Sequence, residues 1–154
     1  MNRAPSRYLM LAAAAALFGR SAMNAQALSI IGGNQTMTVT TATVGSQPTA
    51  VNNTNVRLRV REQAAISKVT AQTSCPGQSF NLRVVVTSSP VGTIAPAVNL
   101  VNGMPATDIL TSIPVGTRLR TVRIQYTASA TFDQGTTADM GADVHTITYT
   151  LVAQ

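Results

Sequence analysis

The sequence predicts an all-β domain, a sandwich of about seven to nine short antiparallel strands, with a small β-barrel as the alternative. Three observations carry this. Apolar and polar residues alternate with a period of two in several short runs, as strands with one face in a core and the other in water require. Thr and Val are abundant, and their stiff, branched side chains suit a pleated, half-buried surface. Turn formers break up the runs, and no apolar stripe at helical spacing follows the first 27 residues.

Those first residues read as a secretory signal. Arg3 and Arg7 supply positive charge, 9–18 is an apolar run, and Ala25-Gln26-Ala27 is a small-x-small cleavage site. A spanning helix needs about 20 apolar residues, whereas this run is closed by Gly19-Arg20. The expectation is a signal peptide over 1–27, one mature domain over 28–154, and no stable membrane span after processing. Cys75, the only Cys, lies far past the cleavage site, which argues against a lipid anchor. The protein is therefore expected to be secreted, periplasmic or at the cell surface. Removal of Arg3, Arg7 and Arg20 takes the basic count from 11 to 8 against five acids, so the net charge falls from +6 to about +3. About 127 residues suffice for a single core.

Residues 36–44 read as a first strand, with Met37 and Val39 on one face. The clearest alternation is 55–61, where Val56, Leu58 and Val60 point one way and Arg57, Arg59 and Arg61 the other. In 64–73 Ile66 and Val69 are spaced as in a helix, but Ser67, Val69, Thr70 and Thr73 favour a strand. Cys75-Pro76-Gly77 is a turn. Phe80, Leu82, Val84 and Val86 share one face of a strand over 79–87. Pro96 has no N–H to donate, so 93–101 is an edge strand or an irregular crossing. Residues 107–113 form a short strand ended by Pro114 and Gly116. Within 117–130, Leu119 and the set Val122, Ile124 and Tyr126 have opposite parity, which predicts a β-bulge near Arg120-Thr121. A polar loop over 133–143 leads to a closing strand over 144–153, with Ile147, Tyr149 and Leu151 on one face. This set of strands predicts immunoglobulin-like packing.

The leader, the Thr/Val strands and the closing run Val144-His145-Thr146-Ile147-Thr148-Tyr149-Thr150-Leu151-Val152 resemble bacterial secreted immunoglobulin-like and fimbrial-subunit-type β-sandwich proteins. The likeness is one of pattern over the mature chain. The chain lacks the disulfide pair of the usual fimbrial subunit and the Cys, Trp, Cys set of antibody domains, so no functional residue is carried over. The resemblance implies a structural or adhesive role at the cell surface. The expected function is self-association, or assembly with other envelope proteins, through sheet edges, with 28–31 or an edge strand lent to a neighbour; the alternative is a monomeric module that binds an anionic glycan or envelope component.

Little in the sequence suits catalysis. Ser-centred elbows, phosphate loops and paired zinc-ligand motifs are absent. A dyad of Cys75 with His145, the sole His, needs only that the two meet in space, but a structural His is the favoured reading. No enzyme activity and no cofactor are expected. Cys75 has no second Cys to pair with in its own chain, so an intermolecular disulfide is its only disulfide option. Asp133, Asp139 and Asp143, with Gly135 and Gly141 between them, are candidate calcium ligands, against the ordinary use of Asp and Gly in turns. The Arg rows are the strongest polar feature: Arg57, Arg59 and Arg61 on one strand, Arg118, Arg120 and Arg123 on another, with Arg83. Like charges directly opposite each other weaken a strand pair. The rows are therefore expected on separated strands, or facing an anionic partner such as a charged glycan. The favoured reading is a solvated strand face whose charges block edge-to-edge aggregation. A nucleic acid partner is not expected, since no aromatic stacking platform accompanies the arginines.

Overall fold

A computed structural model describes residues 26–40, 46–135 and 141–154. The expected leader lies almost wholly outside the described residues, and no described helix is long and apolar enough to cross a membrane. The described residues form an all-β sandwich of two antiparallel sheets that does not close into a barrel. One sheet contains β1 (Ala27–Ile31), β3 (Arg57–Glu62), β9 (Thr117–Ser129), β5 (Asn81–Ser88) and β7 (Val98–Leu100) in that spatial order, and β2 (Val51–Asn53) also pairs with β9. The other runs β10 (Thr146–Ala153), β4 (Ser67–Ser74), β8 (Thr107–Ile113) and β6 (Thr93–Ile94). The central pairs β4·β8 and β5·β9 lie in opposite sheets.

Period-two alternation builds the core. Val56, Leu58 and Val60 meet Val122, Ile124 and Tyr126 from the same sheet, and Val69, Ala71, Ile109, Leu110 and Ile113 from the facing one. Ile109 and Leu110 are consecutive yet both buried. A register shift between Val69↔Leu110 and Thr70↔Asp108 inserts an extra β8 residue there and turns both side chains inward. The segment with Pro96 is a crossing: β6 ends at Ile94 in one sheet and β7 begins at Val98 in the other. A proline there removes no ladder hydrogen bond.

Two expectations need correction. Residues 36–40 join no strand, and 41–44 lie outside the described residues. Both edges of β9 are already taken, by β5 on one side and by β3 and β2 on the other. Met37 and Val39 still turn inward, Val39 against Phe80, Ala128 and Ala130. The bulge in β9 falls slightly earlier than expected, since Val60 pairs with Arg120 and Glu62 with Thr117. Leu119 therefore sits on the bulge, 53% exposed, rather than in the core.

The inward parity of β3 continues to Glu62, whose side chain is fully buried. Its Oε1 accepts from the backbone N–H groups of Ala64 (2.8 Å) and Ala65 (3.2 Å). Its Oε2 accepts from Ser67 Oγ (2.6 Å) and Gln26 Nε2 (2.5 Å). Burial pushes this carboxyl up, but the donors outweigh it and hold the pKa at about 2. Cleavage after Ala27 would remove the Gln26 donor and leave the other three.

The folded-state pKa lies below the ordinary value of 4.5, so the carboxylate stabilises the fold above that value and loses its contribution as pH falls towards 2. The full effect is on the order of 3 kcal/mol. Urea denaturation should show Glu62→Gln destabilised by about 2–4 kcal/mol at pH 7, with the gap to wild type closing by pH 2. A gap that stays constant across that window would remove the ionised carboxylate from the account.

Candidate functional site

Every Arg beyond residue 27 lies on β3, β5 or β9, which are neighbours in the middle of one sheet. The expectation of separated rows is overturned: β3 pairs directly with β9, and Arg57 stands opposite Arg123. Arg59 faces Thr121 across the same pair, and Arg61 faces Ala27 on β1. Arg83 on β5 pairs with Thr127, so it shares this outer face. Arg118 is exposed at the bulge. Arg120 pairs with the inward residue Val60, so its side chain leaves from the other side of the sheet, at the exposed rim.

Among the described residues no acid accompanies these groups. Glu62 is buried on the inner side, Asp108 is on β8 of the other sheet, and Asp133 and Asp143 lie outside the strands. The one ion pair among the described residues joins Lys68 Nζ to Asp108 Oδ1 at 3.0 Å, on the opposite sheet. The polar neighbours on the Arg face are neutral. Asn52 Oδ1 accepts from Gln125 Nε2 (3.1 Å) and Thr127 Oγ1 (2.6 Å).

A second group of polar residues gathers where β4 ends and β10 begins. The two strands are in register from Ser67↔Ala153 to Ser74↔Thr146. One step further brings Cys75 opposite His145. Asp143 follows on the same inward parity as His145, Ile147, Tyr149 and Leu151. Ligand atoms of Cys75, Asp143 and His145 all lie within 4.8 Å of one another. Each is held by a further partner. Asp143 Oδ2 accepts from the N–H groups of Ser79 (2.8 Å) and Phe80 (2.7 Å). Thr73 Oγ1 is 3.2 Å from His145 Nδ1, and the backbone N–H of Cys75 donates to Asn102 Oδ1 at 2.8 Å. Asp143 and His145 line a cleft of about 790 Å³, bounded also by Met37, Phe80, Tyr126 and Tyr149.

The electrostatics of this group do not favour a nucleophile. Burial, and then the nearby Asp143 charge, push the Cys75 thiol up. A reactive cysteine requires the reverse. Burial also pushes His145 down, partly offset by Asp143. Behind it, the hydroxyls of Tyr126 and Tyr149 hydrogen-bond at 2.5 Å, and burial pushes both phenols up.

Of the calcium candidates, Asp133 is the middle residue of a short 3-10 turn (Phe132–Gln134), Asp139 lies outside the described residues, and Asp143 has one oxygen committed to backbone donors. The aromatic rings on strands point inward, and Phe132 on the 3-10 turn is exposed. Comparison with protein-family models, with curated proteins and with solved structures finds no match.

Cys75 is free and 1% exposed, which disfavours both a rapid reaction and a disulfide to a second chain. A thiol-specific dye should label the native protein at least about 100-fold more slowly than the urea-unfolded chain. Non-reducing gels should show no Cys75-dependent dimer. Fast stoichiometric labelling of folded protein would mean that the turn at Pro76-Gly77 stands open.

Proposed function

We propose that the domain is an exported, non-catalytic binding module that holds an anionic glycan against the outer face of the β1–β3–β9–β5–β7 sheet. The observation that carries this reading is the facing of Arg57 and Arg123 across the β3–β9 pair, with no ion-paired acid beside them among the described residues. Juxtaposed like charges weaken a sheet, and a polyanion laid across them converts that cost into affinity. Arg57, Arg59 and Arg61 recur every second residue, about 7 Å apart along the strand, and form a ladder suited to a polymer with repeated carboxylate, sulfate or phosphate groups. The roles assigned are contact residues: Arg57, Arg59, Arg61, Arg83 and Arg123 on the face, with Arg118 at its end.

A second reading, a structural or adhesive subunit joined to its neighbours by strand addition, is favoured by β10. This strand, eight residues without a charge, has no second strand partner among the described residues, and such an edge recruits another strand. Residues 28–31 are already paired with β3 of their own chain, so lending them to a neighbour requires breaking that register first. Light scattering after size exclusion separates the two readings. A monomer at all concentrations supports the binding module, and concentration-dependent filaments support the subunit.

The binding reading makes an unusual double prediction for Arg123→Thr. Removing one charge of the facing pair should raise stability by about 0.2–1 kcal/mol while weakening retention on an immobilised anionic polysaccharide. Retention of wild type should fall steeply with salt, because the exposed charges are screened beyond about 10 Å at 0.1 M. A triple Arg57→Gln, Arg59→Gln, Arg123→Gln variant that is retained as strongly as wild type would end the proposal.

A further inference from the structure

The Cys75, Asp143 and His145 group stands apart from the Arg face and is not used by the proposed glycan binding. Three donors of different chemistry, a sulfur, a ring nitrogen and a carboxylate oxygen, come together from the end of β4 and the approach to β10 within 4.8 Å of one another. A tetrahedral zinc site with bonds of 2.0–2.3 Å spaces its ligands about 3.5 Å apart, so rotation of the side chains by roughly 1 Å closes the set around an ion. The surroundings already hold the donors in place. Thr73 lies against the His145 ring, the Ser79 and Phe80 N–H groups bind one Asp143 oxygen and leave the other, and the Val144 N–H donates to the Cys75 sulfur. Such outer contacts orient metal ligands in known centres. Asp143 and His145 also line the cleft of about 790 Å³, which gives a fourth position access to water or a small ligand.

We propose that Cys75, Asp143 and His145 form a binding site for a divalent transition-metal ion of the zinc class, with three protein ligands and one open position facing the cleft. The mixed sulfur, nitrogen and oxygen set suits a borderline-soft ion and excludes calcium and magnesium, which take oxygen donors. On binding, the Cys75 S–H bond gives way to a metal–sulfur bond and its proton leaves to solvent.

The test uses purified protein stripped with a chelator and titrated with Co²⁺, a spectroscopic stand-in for Zn²⁺. One equivalent should produce a thiolate-to-cobalt charge-transfer band and the intense visible bands of a four-coordinate site, and Zn²⁺ should bleach both. Cys75→Ser should abolish the charge-transfer band, and His145→Ala should weaken binding at least about 100-fold. Thr73→Val, which removes the hydroxyl beside His145 Nδ1, should weaken it about 10- to 100-fold. Far-ultraviolet circular dichroism of each variant checks that the sheets persist. Folded wild-type protein that shows no charge-transfer band at millimolar Co²⁺ would overturn the site. So would binding that survives unchanged in folded Cys75→Ser and His145→Ala proteins.

Discussion

The pairing of β3 with β9 governs both faces of this molecule. Each residue step along the pair sends one side chain into the sandwich and the next to solvent, so one register decides what is buried and what is displayed. Leu58↔Val122 builds the core, and the neighbouring Arg57↔Arg123 builds the charged face. A slip of one residue would place guanidinium groups between the sheets, where an unpaired charge costs many kcal/mol. The core therefore enforces the Arg juxtaposition, although the two charges repel each other. β3 and β9 are interior strands, so the arginines are not there to guard an edge against aggregation, the usual reason for charging a strand.

Strand β4 connects the two polar ends of the sandwich. Its first residue, Ser67, donates to the buried Glu62, and the residue just past its last is Cys75. Eight residues of strand separate these ends by about 26 Å. The ends follow different rules. Around Glu62 four donors meet one carboxylate, and the result is a charged group held as an anion inside the fold. Around Cys75 the donors and acceptors leave a thiol, an imidazole nitrogen and one carboxylate oxygen facing each other at the side of an open cleft. A saturated group of this kind stabilises, whereas an unsaturated group of convergent donors is suited to receiving a ligand.

The strands were legible in the sequence wherever one face is wet, as in 55–61, 79–87 and 144–153, because alternation is itself the consequence of one-sided burial. The crossing at Pro96 and the need for a bulge in β9 were also legible, since a missing N–H and a parity conflict are local facts. Partner choice was not. Nothing within 55–61 or 117–130 says that these two runs adjoin, and the repulsion between their arginines argued for the wrong answer. Tertiary packing of Leu58, Val60, Val122 and Ile124 outweighs a surface repulsion of at most about 1 kcal/mol. The short pairings of β1 and β2 were hidden for a related reason: three to five residues carry too few periods to stand out.

Glu62 and Asp143 mark the two places where parity, carried one or two steps further, would have revealed more. Val56, Leu58 and Val60 point inward, and continuing that count makes residue 62 inward as well, which for a carboxylate demands donors close by. Ile147 and Tyr149 point inward, and counting backwards makes His145 and then Asp143 inward, towards the end of β4 where Cys75 waits. A polar residue on the apolar parity of a strand is a stronger pointer than a cluster of acids along the chain. Proximity in sequence grouped Asp143 with Asp133 and Asp139, while the sheet register joins it to a residue 68 positions away, at Cys75. A strand carries its side-chain alternation beyond its last hydrogen bond, and in this protein the residues just past the ladder bring a thiol, an imidazole and a carboxylate together.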